Sequence, residues 1–332
     1  MNNTVSAAPV NDVSHIIKRH NRFLITTHVR ADGDGIGSEV ALYHALKGMG
    51  KQAVIANDSP IPQIYKFIIP PTGMHIYPDF PKEGADVVIA LDCPTLDRLG
   101  KTQEIIPKGA TIVNIDHHIS NVNFGAVNWV TEDMCATGEI ILSLLTEMKV
   151  EITPEMATAL YVAIVTDTGR FTHSNTTPKA LKAAAFLIER GAQHGDISKY
   201  VYNTNPFNLL QLHGQVINSI KLHAGNQIAT VWLTKEMLEK TKVNPIDTQE
   251  FADIPVSIDG VAVGVLLREM TKPNWVKVSM RSRNGLNVNV IAEKFGGGGH
   301  KYASGCEIPC NGIEEAQNLI LGELEKALQQ RR

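Results

Sequence analysis

The sequence is poor in the features that would take it out of the ordinary globular class. Its 332 residues hold only four cysteines and no CxxC pair, too few for a disulfide framework in a chain of this size. No apolar run approaches the roughly 18–20 residues that a membrane helix needs. The opening stretch, MNNTVSAAPVNDVSH, has neither the basic start nor the apolar centre of a signal peptide. Internal repeats and low-complexity segments are absent, so the expectation is a cytoplasmic protein with no membrane contact. Net charge is also small: 31 Lys and Arg against 34 Asp and Glu leave −3, which argues against a coat of phosphate contacts along a long duplex.

What is present is better patterned. The length suggests two domains, and 43% hydrophobic with 20% charged residues fits a packed core. Residues 1–214 carry 17 basic and 21 acidic groups, whereas 272–301 carry six basic residues and one acidic, Glu293. An acidic first part and a locally basic second part suit a small anionic substrate. RFLITTH (22–28), QAVIA (52–56), DVVIALD (86–92) and TIVNID (111–116) are continuous, β-branched runs of the kind buried on both faces of a parallel sheet. An amphipathic helix is expected over 35–50, and further helices over 137–149, 153–166 and 178–190, the last opening on Pro178. Strands are expected again in QIATVWLT, GVAVGVLLRE and WVKVSMRSR, followed by a glycine-rich loop at 296–299 and a terminal helix. The reading is α/β: a doubly wound, mostly parallel sheet over 1–192, a helical connector over 193–215, and a second, smaller α/β domain over 216–332.

Acidic and imidazole side chains stand at the ends of the apolar runs. The first ends in His28-Val-Arg-Ala-Asp32-Gly-Asp34, the third in Asp92, the fourth in Asp116-His117-His118, and the helix ending near 166 carries Asp167. Open α/β sheets bind ligands beyond the carboxyl ends of their strands, so these groups are expected in one crevice. Several carboxylates held that close repel one another unless cations neutralise them. Mixed carboxylate and imidazole donors suit Mn²⁺, Fe²⁺ or Co²⁺ and tolerate Zn²⁺ or Mg²⁺. Six donors are too many for one catalytic ion with an open position and about right for two, if a carboxylate bridges. Rival readings fail on residue identity. An EF-hand starting at Asp32 would need oxygen ligands where Ile36 and Tyr43 stand, and the dinucleotide fingerprint lacks its third glycine, replaced by Ser38. Cys306 and Cys310 lack a second ligand pair, and Asn175-Thr-Thr has no meaning as a glycosylation acceptor without secretion.

These residues resemble a known family. His28-x-x-x-Asp32-x-Asp34, Asp92, Asp116-His117-His118 and Asp167 look like the successive motifs of the DHH phosphoesterases. The run Gly296-Gly-Gly-Gly-His300-Lys-Tyr-Ala303-Ser-Gly305 resembles the hallmark of the DHHA1 domain, and Arg281-Ser282 its Arg-Ser pair. The chain is most similar to the short bacterial nanoRNase and pAp-phosphatase type. The resemblance implies one metal held by His28, Asp32 and Asp92, and another by Asp34, Asp92, His117 and Asp167, with Asp92 bridging and Mn²⁺ the expected ion. His118 would face substrate phosphate and Asp116 would orient the His pair. Arg281, Ser282, Gly297, Gly298, Gly299 and His300 would bind substrate across a cleft, and Arg170, three residues beyond Asp167, is a further candidate phosphate contact. Glycine backbone N–H groups can approach an anion closely, and an arginine can grip a phosphate with two parallel bonds. The implied activity is hydrolysis of short single-stranded oligonucleotides to nucleoside 5′-monophosphates, or of 3′-phosphoadenosine-5′-phosphate, by hydroxide attack on phosphorus. The alternative is a phosphodiesterase for c-di-AMP or linear pApA. A homodimer is also implied.

Overall fold

The computed structural model describes residues 7–80, 84–283 and 285–329; the outer ends of the two expected domains, 1–6 and 330–332, lie outside the described residues. The chain divides into two compact units, Met1–Thr204 and Asn205–Arg332. No helix among the described residues is long and apolar enough to cross a membrane.

In the first unit α1 (Ala7–Arg19) leads into β1 (Arg22–Thr26), α2 (Gly33–Gly48), β2 (Gln52–Asn57), β3 (Met74–Ile76), β4 (Val87–Leu91), β5 (Thr111–Asp116) and β6 (Val127–Val130). Helices α3 (Thr137–Glu147), α4 (Pro154–Asp167), α5 (Pro178–Glu189) and the single turn α6 (His194–Ile197) follow. The six strands form one sheet in the order β3-β2-β1-β4-β5-β6, and every pairing is parallel. All five residues of β4 are buried, as its unbroken apolar run requires. The order reverses between β1 and β4, and that is where a doubly wound sheet opens a crevice.

Helix α2 departs from expectation. It was expected to be amphipathic, yet nearly every side chain from Gly33 to Leu46 is buried, because α4 and α3 close over the face that the sheet does not cover. Small residues permit the approach: a Cβ on Gly37 would lie 2.3 Å from Ala159 O, and one on Gly33 would lie 2.4 Å from Thr166 Oγ1. The N-terminus of α2 is thereby fixed against the carboxyl ends of β1 and β4.

The second unit begins with α7 (Phe207–Asn218), then β7 (Lys221–His223), β8 (Ile228–Leu233), α8 (Lys235–Thr241), α9 (Asp253–Val256), β9 (Val263–Glu269), β10 (Trp275–Ser282), α10 (Asn289–Lys294), β11 (Gly298–His300), β12 (Ala303–Pro309) and α11 (Ile313–Gln329). Its sheet runs β11-β12-β10-β9-β8-β7, antiparallel except for β8 with β9. Val263, Val265 and Leu267 of β9 pack with Ala316, Ile320 and Leu324 of α11, while the intervening Leu266 joins Leu212 and Val216 of α7. The glycine-rich segment, expected as a loop over 296–299, is partly strand: Gly298 and Gly299 belong to β11. At Gly297 and Gly299 the close approach of β12 leaves no room for a side chain. A Cβ on Gly299 would lie 2.6 Å from Ala303 O, and one on Gly297 would lie 2.2 Å from Gly305 O.

Candidate metal centre

Each expected donor of the first unit emerges from a strand or helix end at the β1–β4 reversal. His28 lies two residues past β1. Its Nδ1 is 2.9 Å from Val29 O, so a neutral ring that keeps its proton at Nδ1 offers the Nε2 lone pair to a cation. That Nε2 is 3.4 Å from Asp92 Oδ2 and 3.9 Å from Asp32 Oδ2. Asp32 is also the N-cap of α2: its Oδ1 accepts from Asp34 N and Gly35 N at 3.0 and 3.3 Å. The capping and the metal readings of this residue therefore hold together, one oxygen for each.

Asp92 follows β4 in the left-handed region, with φ 51°, a conformation asparagine and aspartate tolerate better than most residues. Its carboxylate is divided. Oδ2 faces His28, whereas Oδ1 lies 3.6 Å from His117 Nε2 and 3.2 Å from the Thr137 hydroxyl that donates to it. His117 Nε2 further lies 3.6 Å from Asp34 Oδ2 and 3.7 Å from Asp167 Oδ2. Two donor groups result, His28–Asp32–Asp92 and Asp34–His117–Asp167, each with donor atoms within 4.8 Å of one another. A third grouping joins Asp92, His117 and His118: His118 Nδ1 lies 3.4 Å from Asp92 Oδ1 but is closer, at 2.7 Å, to Asp116 Oδ1, which engages that nitrogen in a hydrogen bond. Oxygen and imidazole donors at these separations fit divalent cations.

Buried Asp116 does less for the His pair than expected and more for the loop after it. Its Oδ1 accepts from the backbone N–H of His117 and of His118 and from the ring of His118 alone, while Oδ2 accepts from Asn121 Nδ2 at 2.6 Å. Several contributors had no sequence signal. Helix α3 starts without a capping side chain of its own. Asp34 caps it instead, accepting from Thr137 N at 2.7 Å and Gly138 N at 2.8 Å, which aims the positive end of α3 at the carboxylates. Asn175, dismissed above, donates to Asp167 Oδ2 at 3.2 Å and to Cys135 O at 3.0 Å.

The electrostatics are those of a site short of positive charge. Burial, then the charge of Asp92, pushes Asp34 well above the ordinary carboxylate range. Burial and the charges of Asp32 and Asp92 do the same to Asp167. Burial would pull His28 and His118 down, but hydrogen bonds to Asp92 and Asp116 and nearby carboxylate charge prevail, lifting them to about 9 and about 10. Burial would raise Asp92 too, yet His28, His118 and His117 hold it below its usual value. The sign for stability follows. Raised His28 and His118 contribute fully below their unfolded value near 6.5 and lose that contribution as pH climbs through about 9 and 10. Asp34 and Asp167 bind protons better folded than unfolded, so they also cost stability as pH rises above about 4. Only Asp92 works the other way, and only under acid conditions. The metal-free protein should melt at progressively lower temperature from pH 6 to pH 10. Saturating Mn²⁺ should flatten the trend and release protons. Melting curves in EDTA and in Mn²⁺ across that range test this; a metal-free melting point that rises with pH would refute it.

The remaining expected residues lie elsewhere. Arg170, at φ 61°, is exposed and stacks 3.9 Å over the Tyr202 ring. In the second unit Arg281, Ala303 and His300 are register partners across β10, β12 and β11, so they share one sheet face, with Ser279, Gly305 and Gly298 in the adjoining row. Arg281 Nε donates to Asp253 at 3.0 Å. Ser282 does not join Arg281 there. The pleat turns it to the opposite face, and its hydroxyl donates to Leu286 O at 2.5 Å. Gly299, with Ser304, also lies on that opposite face.

Residues 22–164 match the DHH family, N-terminal domain, and residues 225–329 match the DHHA1 domain. Over 304 residues the chain is 32% identical to the bifunctional oligoribonuclease and PAP phosphatase NrnA of Thermus thermophilus, covering 92% of this chain and 89% of that protein. The protein of the same name from Bacillus subtilis is 29% identical over 314 residues, 93% and 95% of the two chains. Among solved structures, an exopolyphosphatase-related protein from Bacteroides fragilis superposes with TM-score 0.90 at 28% identity, over 99% of this chain and 98% of that one. RecJ of Thermus thermophilus in complex with Mn²⁺ shares the fold at TM-score 0.57 and 11% identity, over 98% of this chain and 55% of that one.

Proposed function

The chain belongs to the DHH family of phosphoesterases, and from that premise we propose that it hydrolyses short oligonucleotides and 3′-phosphoadenosine-5′-phosphate with the aid of two divalent cations. The observation that supports this most directly is the division of Asp92, one oxygen toward His28 and the other toward His117. His28, Asp32 and Asp92 would hold one cation, and Asp34, Asp92, His117 and Asp167 the other. When bound, such a pair lowers the pKa of water and offsets charge on phosphoryl oxygens. The chain's own groups do the rest. Thr137 fixes the Asp92 oxygen it bonds, Asp34 ties the cluster to the start of α3, and Asp116 holds the His118 ring so that its other edge is presented to a phosphoryl oxygen. The substrate reading draws on the names of the relatives and on the face of the second unit where Arg281 and His300 share a row.

The test is Mn²⁺-dependent hydrolysis of RNA from di- to decanucleotides, with pAp, linear pApA and its cyclic form alongside. Faster turnover of the shortest linear substrates and of pAp supports the proposal, and loss of all phosphoester hydrolysis in purified, Mn²⁺-loaded protein overturns it. Preference for the cyclic dinucleotide would assign the alternative substrate to the same site. Arg281→Ala should raise KM for these substrates about tenfold with little change in kcat, the size of one charged hydrogen bond. An unchanged KM would remove Arg281 from the binding face.

A further inference from the structure

Where β1 leaves its sheet the β4 side keeps backbone partners, with the ladder reaching Thr26 and Val29 N donating to Arg98 O at 2.7 Å, whereas the β2 side is held by side chains. The β1–β2 register ends at Ile25 with Ile55, and the next N–H facing β2, that of Thr27, is taken instead by Asn57 Oδ1 at 3.3 Å. The other end of the same amide is occupied as well. Asn57 Nδ2 donates at 2.8 Å to Glu39 Oε2, reaching from α2. These two bonds fix which way the amide points, oxygen to Thr27 and nitrogen to Glu39. Gly35 of α2 packs closely on Thr27, since a Cβ there would lie 2.4 Å from Thr27 Oγ1. The next residue after Thr27 is His28.

Glu39 is an expensive way to hold an amide. It is fully buried, and its Oε1 has no hydrogen-bond partner among the described residues. A buried carboxyl with an unmatched oxygen costs more than an apolar residue of similar volume would. Packing alone therefore gives no reason for it, whereas the chain of contacts from α2 through β2 to the exit of β1 does. A shift in that exit would move His28 Nε2 relative to Asp92 and Asp32, where an error near 1 Å is already large.

We propose that Glu39 and Asn57 are positioning residues: they set the direction in which His28 leaves β1, and through it the affinity of the His28–Asp32–Asp92 group for a divalent cation. This rests on the two-cation reading above. Partners bonded directly to a metal ligand typically change affinity by about 10–100-fold when altered; Asn57 and Glu39 act one step further out, through Thr27, which sets the expectation at the lower end.

The pair permits a reciprocal test. Asn57→Asp keeps an acceptor for Thr27 but removes the N–H that Glu39 Oε2 accepts, leaving two carboxyls that must share a proton, since burial already lifts Glu39 to about 8. Glu39→Gln combined with Asn57→Asp restores one donor and one acceptor with the arrangement reversed, at unchanged total charge. Mn²⁺ affinity and stoichiometry are read by titration calorimetry, with a thermal melt of each variant. Asn57→Asp should weaken the His28-side site about tenfold or more. Any negative charge the substitution adds would strengthen it, so weakening must come from geometry. The double variant should recover to within about threefold of wild type. If Asn57→Asp does not fold, Asn57→Ala carries the same expectation of weakened binding. Wild-type affinity in the Asn57 variants, no recovery in the double, or a lowered melting point with unchanged affinity would each overturn the inference. A wild-type protein that binds no Mn²⁺ would instead overturn the two-cation reading on which it rests.

Discussion

Asp92→Asn should abolish turnover, with kcat/KM for short oligonucleotides and pAp falling about 10³-fold or more. The reason is the division of the carboxylate. Its two oxygens are 3.4 Å from His28 Nε2 and 3.6 Å from His117 Nε2. Asparagine has the same shape but only one oxygen, so whichever way its amide sits, one donor group faces an N–H₂ instead of an acceptor. The Thr137 hydroxyl, which donates to Oδ1 at 3.2 Å, should draw the remaining oxygen to the His117 side and leave the amine toward His28. Mn²⁺ stoichiometry should then drop from two to one, and the site lost should be the one containing His28. Steady-state rates with metal titration decide the matter. A variant that retains two bound ions, or wild-type turnover, would show that Asp92 does not link the two groups.

Much of this arrangement was legible in the sequence, for a definite reason. Continuous β-branched runs ending in Asp92 and in Asp116-His117-His118 combine a sheet signal with a polar terminus, and the topology of parallel sheets then places the termini together. The parts that were not legible lack either period or chemistry. Strands β3 and β11 have three residues each, too short for any alternation to register. The two N–H groups that bind Asp34 belong to Thr137 and Gly138, about a hundred positions away in sequence, and a backbone donor leaves no trace in residue identity. Asn57 and Glu39 are single polar residues inside ordinary elements and Asn175 sits in the turn between α4 and α5, and only the packing of α2 and the chain reversal after α4 bring them to the site. The burial of α2 is illegible on the same ground: its polar residues include Asp34, Ser38 and Glu39, which face the site and the sheet rather than solvent, so a pattern that looks amphipathic belongs to a helix enclosed on nearly all sides.

Asp167→Asn should move stability and activity in opposite directions. Asp167 Oδ2 accepts from Asn175 Nδ2 at 3.2 Å and lies 3.7 Å from His117 Nε2. Burial and the charges of Asp32 and Asp92 push its carboxyl well above the ordinary range, so at neutral pH the folded, metal-free site works against the charge this residue carries when unfolded. Asparagine keeps the volume, and its oxygen can still accept from Asn175. The change therefore removes the unfavourable charge and little else, and the metal-free melting point should rise by a few degrees, at about 2–4 °C per kcal/mol for a unit of this size. With cations present the balance inverts. The Asp34–His117–Asp167 group loses an anionic donor, turnover should fall about 10²-fold, and the stabilisation that Mn²⁺ gives wild type through binding should shrink. The two melting points should cross: variant above wild type in EDTA, wild type above variant in saturating Mn²⁺. A variant that melts below wild type in EDTA would mean that Asp167 is retained for folding, and that the repulsion inferred at this cluster is already relieved without metal. The crossing is expected because a cluster of carboxylates built to receive cations is strained until they arrive.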